Sequence, residues 1–548
     1  MLYTSPHPDL SIPNVDLPTF MFSYAKQHTV YGKDPKLVAV VDGTQSLSFA
    51  ELEARTEAFA SGLYHNARFR RGDILAIVLP NTSFYQIVSL GTQMVGGVVT
   101  TANPAYTPRE LAHQLKATRA KVVVTLVSSI PVVKEALQIA QLDIPDSHIL
   151  TVDGDGNTVD KIFSQRPFPR VHLTTESEVN STPSFIVFSS GTSGAPKGVV
   201  LSHRNMVANA LQFLDINQRD SALTKVTRTK FQRRWLQVLP MFHIYGILTN
   251  NISILSGGVV VIMDKFDFLS FCALIQDHKI DTVYVAPPII LALVKSPEVE
   301  KFDLGSLLFI NSGAAPLSKE LQVEAERSLG VFVTQGYGMS ESSPGVCRSV
   351  SGSNSPGSIG QLCANTEAKF LDDDGQLVGV NQVGELCIRG PQVMIGYLDN
   401  EKATAETVTS DGFLLTGDIG YIDPNGNIYI TDRKKELIKY KGFQIPPAEL
   451  EGLLTDHPAV VDAAVIPVYD EARATELPKA YVVVRPGANS PSVCSEIQEW
   501  LGARVVDYKR LRGGVELIEA IPKSATGKIL RRVLKDLEAK RRELHPKL

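Results

Sequence analysis

The sequence predicts an α/β protein: a large N-terminal domain of several subdomains, with mainly parallel sheets flanked by helices and a small β-subdomain, followed by a small C-terminal domain. Three observations carry that expectation. From residue 50 to about 152, helix-like stretches alternate with short apolar runs, as in AELEARTEAFASGLYH, ILAIVL, TSFYQIVSLGTQMV, VVTT and VVVTLV. That is the pattern of helices wrapped on a parallel sheet. Beyond residue 360 the texture turns β-rich, and EAKFLDDDGQLVG and IGYIDPNGNIYITD each read as two strands joined by a tight turn at DDDG or DPNG. Finally, charge changes sign near residue 435: 19 Lys or Arg against 16 Asp or Glu lie from there on, and 35 against 42 lie before it. The change falls in ITDRKKELIK, a polar stretch after a strand that suits a hinge. The expected domains are therefore residues 1–433, with the β-subdomain at roughly 355–433, and residues 434–548.

The length of 548 residues is too great for one ordinary core. With 44% hydrophobic and 20% charged residues, the composition is that of a folded soluble protein rather than a disordered, collagenous or coiled-coil chain. The net charge of −4 lacks the basic excess of a nucleic-acid binder and favours a small-molecule partner. Five scattered cysteines without a CxxC pair suggest neither a disulfide framework nor a zinc site. MLYTSPHPDL lacks the basic start and apolar run of a signal peptide, and no run of about 18 apolar residues occurs, so neither secretion nor a membrane span is expected. The last residues, Pro546-Lys547-Leu548, are similar to the Ser-Lys-Leu peroxisomal address, with proline at the first position; peroxisome or cytoplasm is the expected location.

Within the large domain, the runs TVYV (282–285), LLFI (307–310) and VFVT (331–334) each lead into a loop of small residues, and in open α/β sheets ligands sit at such carboxyl ends. The strongest local signal is SFIVFSSGTSGAPKGVVLS (184–202). Its glycines let backbone N–H groups approach an anion, its hydroxyls add donors and Lys197 adds charge, which together make a phosphate cradle. It is not a Walker A loop, because Lys197 leads into the strand-like Val199-Val200-Leu201 rather than a helix. LPMFHIYG places His243 in an apolar segment, and NSGAAP follows a strand with residues small enough for a flat ring to lie against the backbone. In QGYGMSE, Tyr337 offers an aromatic face, Ser340 a hydroxyl for phosphate and Glu341 a hard oxygen ligand for Mg²⁺. Asp418, in LLTGDIGYID, could accept both hydroxyls of a ribose. IPKSATGKILRR puts Lys528 on a Ser/Thr/Gly loop before a basic helix.

Each of these alone has an ordinary structural reading. Together, SSGTSGAPKG, LPMFHIYG, SGAAP, QGYGMSE, TGD, DRKKELIKYKGFQ and PKSATGK stand in the order seen in adenylate-forming enzymes, and the chain resembles that superfamily over nearly its whole length, most of all the 4-coumarate-CoA ligase and acyl-CoA synthetase branch that also holds beetle luciferases. The resemblance implies ATP, Mg²⁺ and coenzyme A as partners of a carboxylic acid, and two steps: acyl-AMP formation with release of pyrophosphate, then thioester formation. By motif, Ser189, Ser190, Gly191, Thr192, Ser193, Gly194 and Lys197 would grip the phosphates, Ser340 the phosphate chain and Glu341 the metal. Gly313, Ala314, Ala315, Pro316 and Tyr337, with Gln335, Gly336 and Gly338 beside it, would bracket adenine, and Asp418 and Arg433 would hold ribose.

Lys528 matches the adenylation lysine. The small C-terminal α+β domain rotates between steps in this family, here about Lys435, replacing Lys528 with the segment KYKGFQ. Lys439 and Gln444 match positions implicated in catalysis, Lys441 and Gly442 a coenzyme A contact, and His243 a histidine that gates the coenzyme A channel. The acid pocket would be walled by His243, Tyr245, Thr249, Tyr284, Ile310, Gly336, Pro344 and Val346, a lining that favours an aryl or medium-chain acid over acetate. Two alternatives stand beside the ligase: loading of a separate carrier protein, and luciferase-like oxygenation. KYKGFQ favours coenzyme A, and the 20 residues after Lys528 are too few for a fused carrier domain, which needs at least about 50.

Overall fold

The computed structural model describes residues 1–189, 196–224, 232–352, 355–434, 436–440, 443–470, 473, 475–524 and 527–544. The alternating pattern of the N-terminal third builds a seven-stranded sheet among these residues. Its order is Gly396–Tyr397, Lys197–Ser202, Pro183–Ser189, Val98–Thr101, Ile74–Ile77, Val122–Thr125, Ile149–Thr151. The five strands from Pro183–Ser189 to Ile149–Thr151 run parallel, and the first two close one edge antiparallel. Local chemistry starts the covering helices: Ser48 and Glu51 form a capping box at Phe49–His65, and Thr107 and Glu110 another at Pro108–Thr118, each satisfying orphan N–H groups.

A second, nine-stranded sheet holds the three runs singled out above. Thr282–Val285, Phe309–Ser312 and Phe332–Gly338 lie side by side and parallel, with Arg234–Gln237 and Val259–Ile262 beyond Thr282–Val285. Two boundaries differ from the sequence expectation. The run LLFI enters the sheet only at Phe309, and the strand begun by VFVT continues through QGYG, which the sequence presents as a loop. Glycines disfavour a strand on propensity, but antiparallel pairing with Gly345–Arg348, in the register Gly336 with Arg348 and Tyr337 with Cys347, holds these residues extended.

The β-subdomain is an antiparallel sheet in which Leu2–Thr4, from the N-terminus, pairs with Glu367–Leu371. DPNG does turn a hairpin, between Leu414–Ile422 and Ile428–Arg433. DDDG also turns the chain, with the Asp372 N–H on the Gln376 carbonyl at 2.9 Å and the Val378 N–H on the Phe370 carbonyl at 3.0 Å, but past the bridge of Leu377 to Leu371 no second strand follows, and Glu367–Leu371 pairs instead with Gly384–Arg389. That pairing buries Ala368, Phe370, Leu386 and Ile388, whereas Leu377 is exposed, so apolar burial selects the more distant partner.

The C-terminal part carries its own sheets, the pair Ile438–Tyr440 with Phe443–Ile445 and the set Val460–Asp470, Thr475–Val484 and Val515–Leu517. These pack on the helices Pro447–Thr455 and Val493–Gly502 around Ile438, Leu450, Val465, Ala480, Ile497 and Leu501, a core drawn wholly from residues after 437. All five cysteines are free, and no described helix is long and apolar enough to cross a membrane.

Candidate active site

The end of one strand and the middle of another, from different sheets, meet at one hydrogen bond. Tyr337, near the end of Phe332–Gly338, donates its hydroxyl to Asp418 Oδ2 at 2.5 Å. Burial and the adjacent carboxylate raise the Tyr337 phenol well above its ordinary value, so it stays a neutral donor. Across the strand pair, Arg433 Nε lies 3.2 Å from Asp418 Oδ1. Asp418 is 5% exposed, a carboxylate fixed from both sides.

Lys528 reaches this cluster from the C-terminal part. Its loop is closed by Ser524, whose N–H donates to the Lys528 carbonyl at 2.8 Å and whose carbonyl accepts from Gly527 at 2.9 Å. Gly527 has φ +82°, and a Cβ there would stand 3.2 Å from the Ala286 methyl; only glycine allows this turn so close to the large domain. Burial, and then the Arg433 charge, lower the Lys528 ammonium to about 8, against the pull of Asp418, Glu341 and Glu436. His243 stands before the helix Ile244–Leu255. Burial, helped by the Lys528 charge, lowers its imidazole to about 4, so it is neutral at neutral pH.

Glu341 is 6% exposed and accepts the Tyr397 hydroxyl on Oε1 at 2.9 Å. Lys197 Nζ sits over the Tyr397 ring, 4.7 Å from its centre, so the cradle lysine and the carboxylate meet at one tyrosine, the first at its ring and the second at its hydroxyl. Among the described residues no group of three or more His, Cys, Asp or Glu could by itself hold a metal. A lone buried carboxylate fits Mg²⁺, which takes one or two protein oxygens and completes its shell with phosphate and water.

The proposed acid pocket falls on one face of the nine-stranded sheet. Register puts Gln237, Tyr284, Asn311, Thr334, Gly336 and Arg348 on that face, and the helix Ile244–Leu255 covers it with Tyr245 and Thr249. Tyr245 stands edge-on to Tyr284 with ring centres 6.1 Å apart, and a Cβ on Gly313 would collide with the Tyr245 ring at 2.8 Å. Val346, two residues before Arg348, shares its side, and Pro344 precedes it with a carbonyl bound by the Met339 N–H. Three residues are placed otherwise than the sequence suggests. Ile310 points to the opposite face, into a core with Val283, Val285 and Val333, because strand side chains alternate and its neighbour Asn311 pairs with Tyr284. The Thr249 hydroxyl is engaged by Gln237 Oε1 at 3.0 Å and the Gly246 carbonyl at 3.1 Å. The Gln335 amide accepts from Leu317 N–H and donates to the Ser358 carbonyl, so it braces loops rather than facing a ligand.

Elsewhere, Ser189 pairs with Lys197 at the base of the cradle. Ala314 takes a positive φ of 68° in the turn it forms with Ala315 and exposed Pro316. Gly338 is exposed, and Ser340 opens a short helical turn that contains Glu341. Lys439 is exposed, and its strand neighbour is Gln444. Ser190, Gly191, Thr192, Ser193, Gly194, Lys435, Lys441, Gly442, the Gln444 side chain and the terminal Pro546-Lys547-Leu548 lie outside the described residues.

The motifs do not point to three further features. Tyr397, which orients Glu341, lies in the unremarkable GYLDN. Asp432 accepts from the N–H groups of Arg433 at 2.6 Å and Ala448 at 3.1 Å, joining the strand Ile428–Arg433 to the helix Pro447–Thr455, and burial raises its carboxyl to about 7. Arg348 is a buried arginine whose only sequence signal is a charge inside the otherwise uncharged GVCRSV.

Comparison with known proteins agrees with this geometry. The family model described as "AMP-binding enzyme" matches residues 27–398, and that of the "AMP-binding enzyme C-terminal domain" matches residues 449–528. The chain is 39% identical to 4-coumarate–CoA ligase 3 of Arabidopsis thaliana, over 98% of this chain and 94% of that one. It is 37% identical to probable 4-coumarate–CoA ligase 2 of Dictyostelium discoideum, over 98% and 97%. Among solved structures, o-succinylbenzoate CoA synthetase of Bacillus subtilis, in complex with its acyl-adenylate intermediate, superposes with a TM-score of 0.76 at 27% identity, over 96% of this chain and 98% of that one.

Proposed function

The chain belongs to the AMP-binding enzyme family, and from that premise we propose that it is an ATP-dependent carboxylic acid–coenzyme A ligase acting on an aryl or medium-chain acid. A carboxylate oxygen of the acid attacks the α-phosphorus of ATP and pyrophosphate leaves. The sulfur of coenzyme A then attacks the acyl carbon and AMP leaves. No enzyme nucleophile is needed, so catalysis rests on positioning and on neutralising charge. The observation that carries the reading is the lysine brought from the C-terminal part to the Asp418–Arg433–Tyr337 cluster.

In this reading Lys528 neutralises charge between the acid and the α-phosphate, Asp418 and Arg433 hold ribose, and Tyr337 and the turn at 313–316 flank adenine. Mg²⁺ held at Glu341 would screen the phosphate charge, with Tyr397 orienting the carboxylate. Neutral His243 can accept a hydrogen bond without adding a second cation beside Lys528. The motion that exchanges Lys528 for Lys439 turns at Lys435.

The test is pyrophosphate release with ATP and Mg²⁺ across a panel of carboxylic acids, with and without coenzyme A. Release confined to one acid class and sustained only with coenzyme A supports the ligase. Release indifferent to coenzyme A points to a carrier-protein acceptor or to luciferase-like chemistry, and silence with every acid overturns the reading.

A further inference from the structure

The far wall of the acid pocket carries a charge that the two-step chemistry does not use. Arg348 is 3% exposed, on the same sheet face as Tyr284 and Gly336. Its stem lies over Gly336, with Cγ 3.5 Å from where a Cβ on that glycine would stand, so a larger residue at 336 would crowd the arginine. Its head is fixed from two elements: one terminal nitrogen donates to Asn217 Oδ1 at 2.6 Å and to the Tyr284 hydroxyl at 3.4 Å, and the other is paired with Asp220. Asp220 also accepts the Ser351 N–H at 2.7 Å. Between the stem over Gly336 and this anchored head lies Nε, a buried donor without a hydrogen-bond partner.

A buried donor left unmatched is destabilising, and an arginine in a pocket wall adds a desolvation cost that a methionine or isoleucine would not. Three of the four terminal N–H groups are engaged by the anchors, and the unpartnered Nε–H belongs to the part of the side chain that borders Gly336. Local charge restricts what can meet it. Arg348 is balanced by Asp220, and the neighbouring Arg233 by Asp281 at 3.7 Å. Among the described residues both arginines of this wall are thus already paired, so a second carboxylate on the substrate would find no unpaired arginine there, whereas a neutral oxygen would satisfy Nε without unbalancing it.

Resting on the ligase reading, we propose that Arg348 is a specificity-determining residue that selects, through its Nε–H, acids whose end remote from the carboxylate bears a neutral hydrogen-bond-accepting oxygen, over plain hydrocarbon acids and over dicarboxylic acids. The site prefers a hydroxyl, ether or carbonyl oxygen on an aryl or medium-chain frame.

Matched acids test it: 3-(4-hydroxyphenyl)propenoate, its 4-methyl isostere and its 4-carboxy analogue, alongside ω-hydroxyoctanoate, nonanoate and octanedioate, each read as kcat/KM for pyrophosphate release. Wild type is expected to favour the hydroxylated member of at least one set by about 10- to 100-fold, the range of a hydrogen bond to a charged donor. Arg348→Met removes the donor, and Arg348→Lys keeps a cation for Asp220 but carries no Nε–H; both should bring the ratio toward 1. A ratio between two acids on the same enzyme sample cancels the fraction that is folded, so a poorly folding variant still reports. A wild-type ratio near 1, a ratio that survives Arg348→Lys, or a dicarboxylic acid as the best substrate overturns the assignment while leaving the ligase in place. If no acid in the panel releases pyrophosphate, the ligase reading fails and this one with it.

Discussion

Lys528 and Lys439 belong to the same C-terminal part and stand in opposite surroundings. Lys528 is enclosed, its ammonium lowered to about 8 by burial and by Arg433, while Lys439 is exposed on the strand Ile438–Tyr440, with its backbone tied to Glu476 and Thr475. On the roles proposed for them, the contrast assigns this arrangement to the first half of the cycle: Lys528 is stripped of water where its charge would act on phosphate, and Lys439, proposed for the other half-reaction, stands in solvent.

The largest effect should come from removing the enclosed member. Lys528→Ala is expected to lower acyl-AMP formation by roughly 10² to 10³, the loss typical of one preorganised donor, while largely sparing thioester formation from supplied acyl-AMP. Comparable losses in both assays would dissolve the contrast. The same enclosure sets a pH dependence. Lys528 is cationic below about 8 and neutral above it, so kcat/KM for adenylation should fall about tenfold per pH unit on the alkaline side. Lys528→Arg, which stays charged, should carry that limb upward by two units or more; a limb that does not move belongs to another group.

The exposed member should show the complementary pattern. Lys439→Ala is expected to slow the reaction of supplied acyl-AMP with coenzyme A by about tenfold, the worth of one charge-assisted hydrogen bond, and to leave pyrophosphate release in a single turnover near wild type. A smaller effect should follow Tyr397→Phe: losing one neutral hydrogen bond to Glu341 raises KM for ATP–Mg²⁺ by about fivefold, measured at saturating acid, and no change would show that Glu341 needs no orienting hydroxyl. Smallest should be Lys435→Pro, which would stiffen the proposed hinge and slow the second half-reaction more than the first by about threefold. A variant with normal thioester formation would remove Lys435 from the hinge.

Much of this architecture is legible in the chain. Alternation of apolar runs and amphipathic stretches reports the parallel sheets, because burial on both faces leaves a near-continuous apolar signature. Glycine-rich and charged motifs mark the Asp418, Glu341 and Lys528 neighbourhoods because unusual composition is what such chemistry demands. Register was less legible. Ile310 and Asn311 are adjacent in sequence and equally near the pocket, and only the pairing of Asn311 with Tyr284 decides which of them faces it. The extended QGYG and the distant partner of Glu367–Leu371 were hidden for the same reason, since long-range pairing overrode local propensity. Arg348 escaped because a buried ion pair needs partners from two elements, and Asn217 and Asp220 lie about 130 residues away from it in sequence.

The contact between Asp432 and Ala448 has a consequence for watching the enzyme at work. Ala448 is the second residue of the helix Pro447–Thr455, where an N–H has no acceptor within the helix, and Asp432 supplies one from the strand Ile428–Arg433, across the proposed hinge. A swing of the C-terminal part about Lys435 would pull the two apart, leaving that amide open to solvent. With the proposed rotation, its deuterium uptake would be a clock for the cycle: slow while the enzyme waits with ATP, faster once acyl-AMP has formed and the domain has turned, and readable by mass spectrometry on one short peptide without a label in the active site.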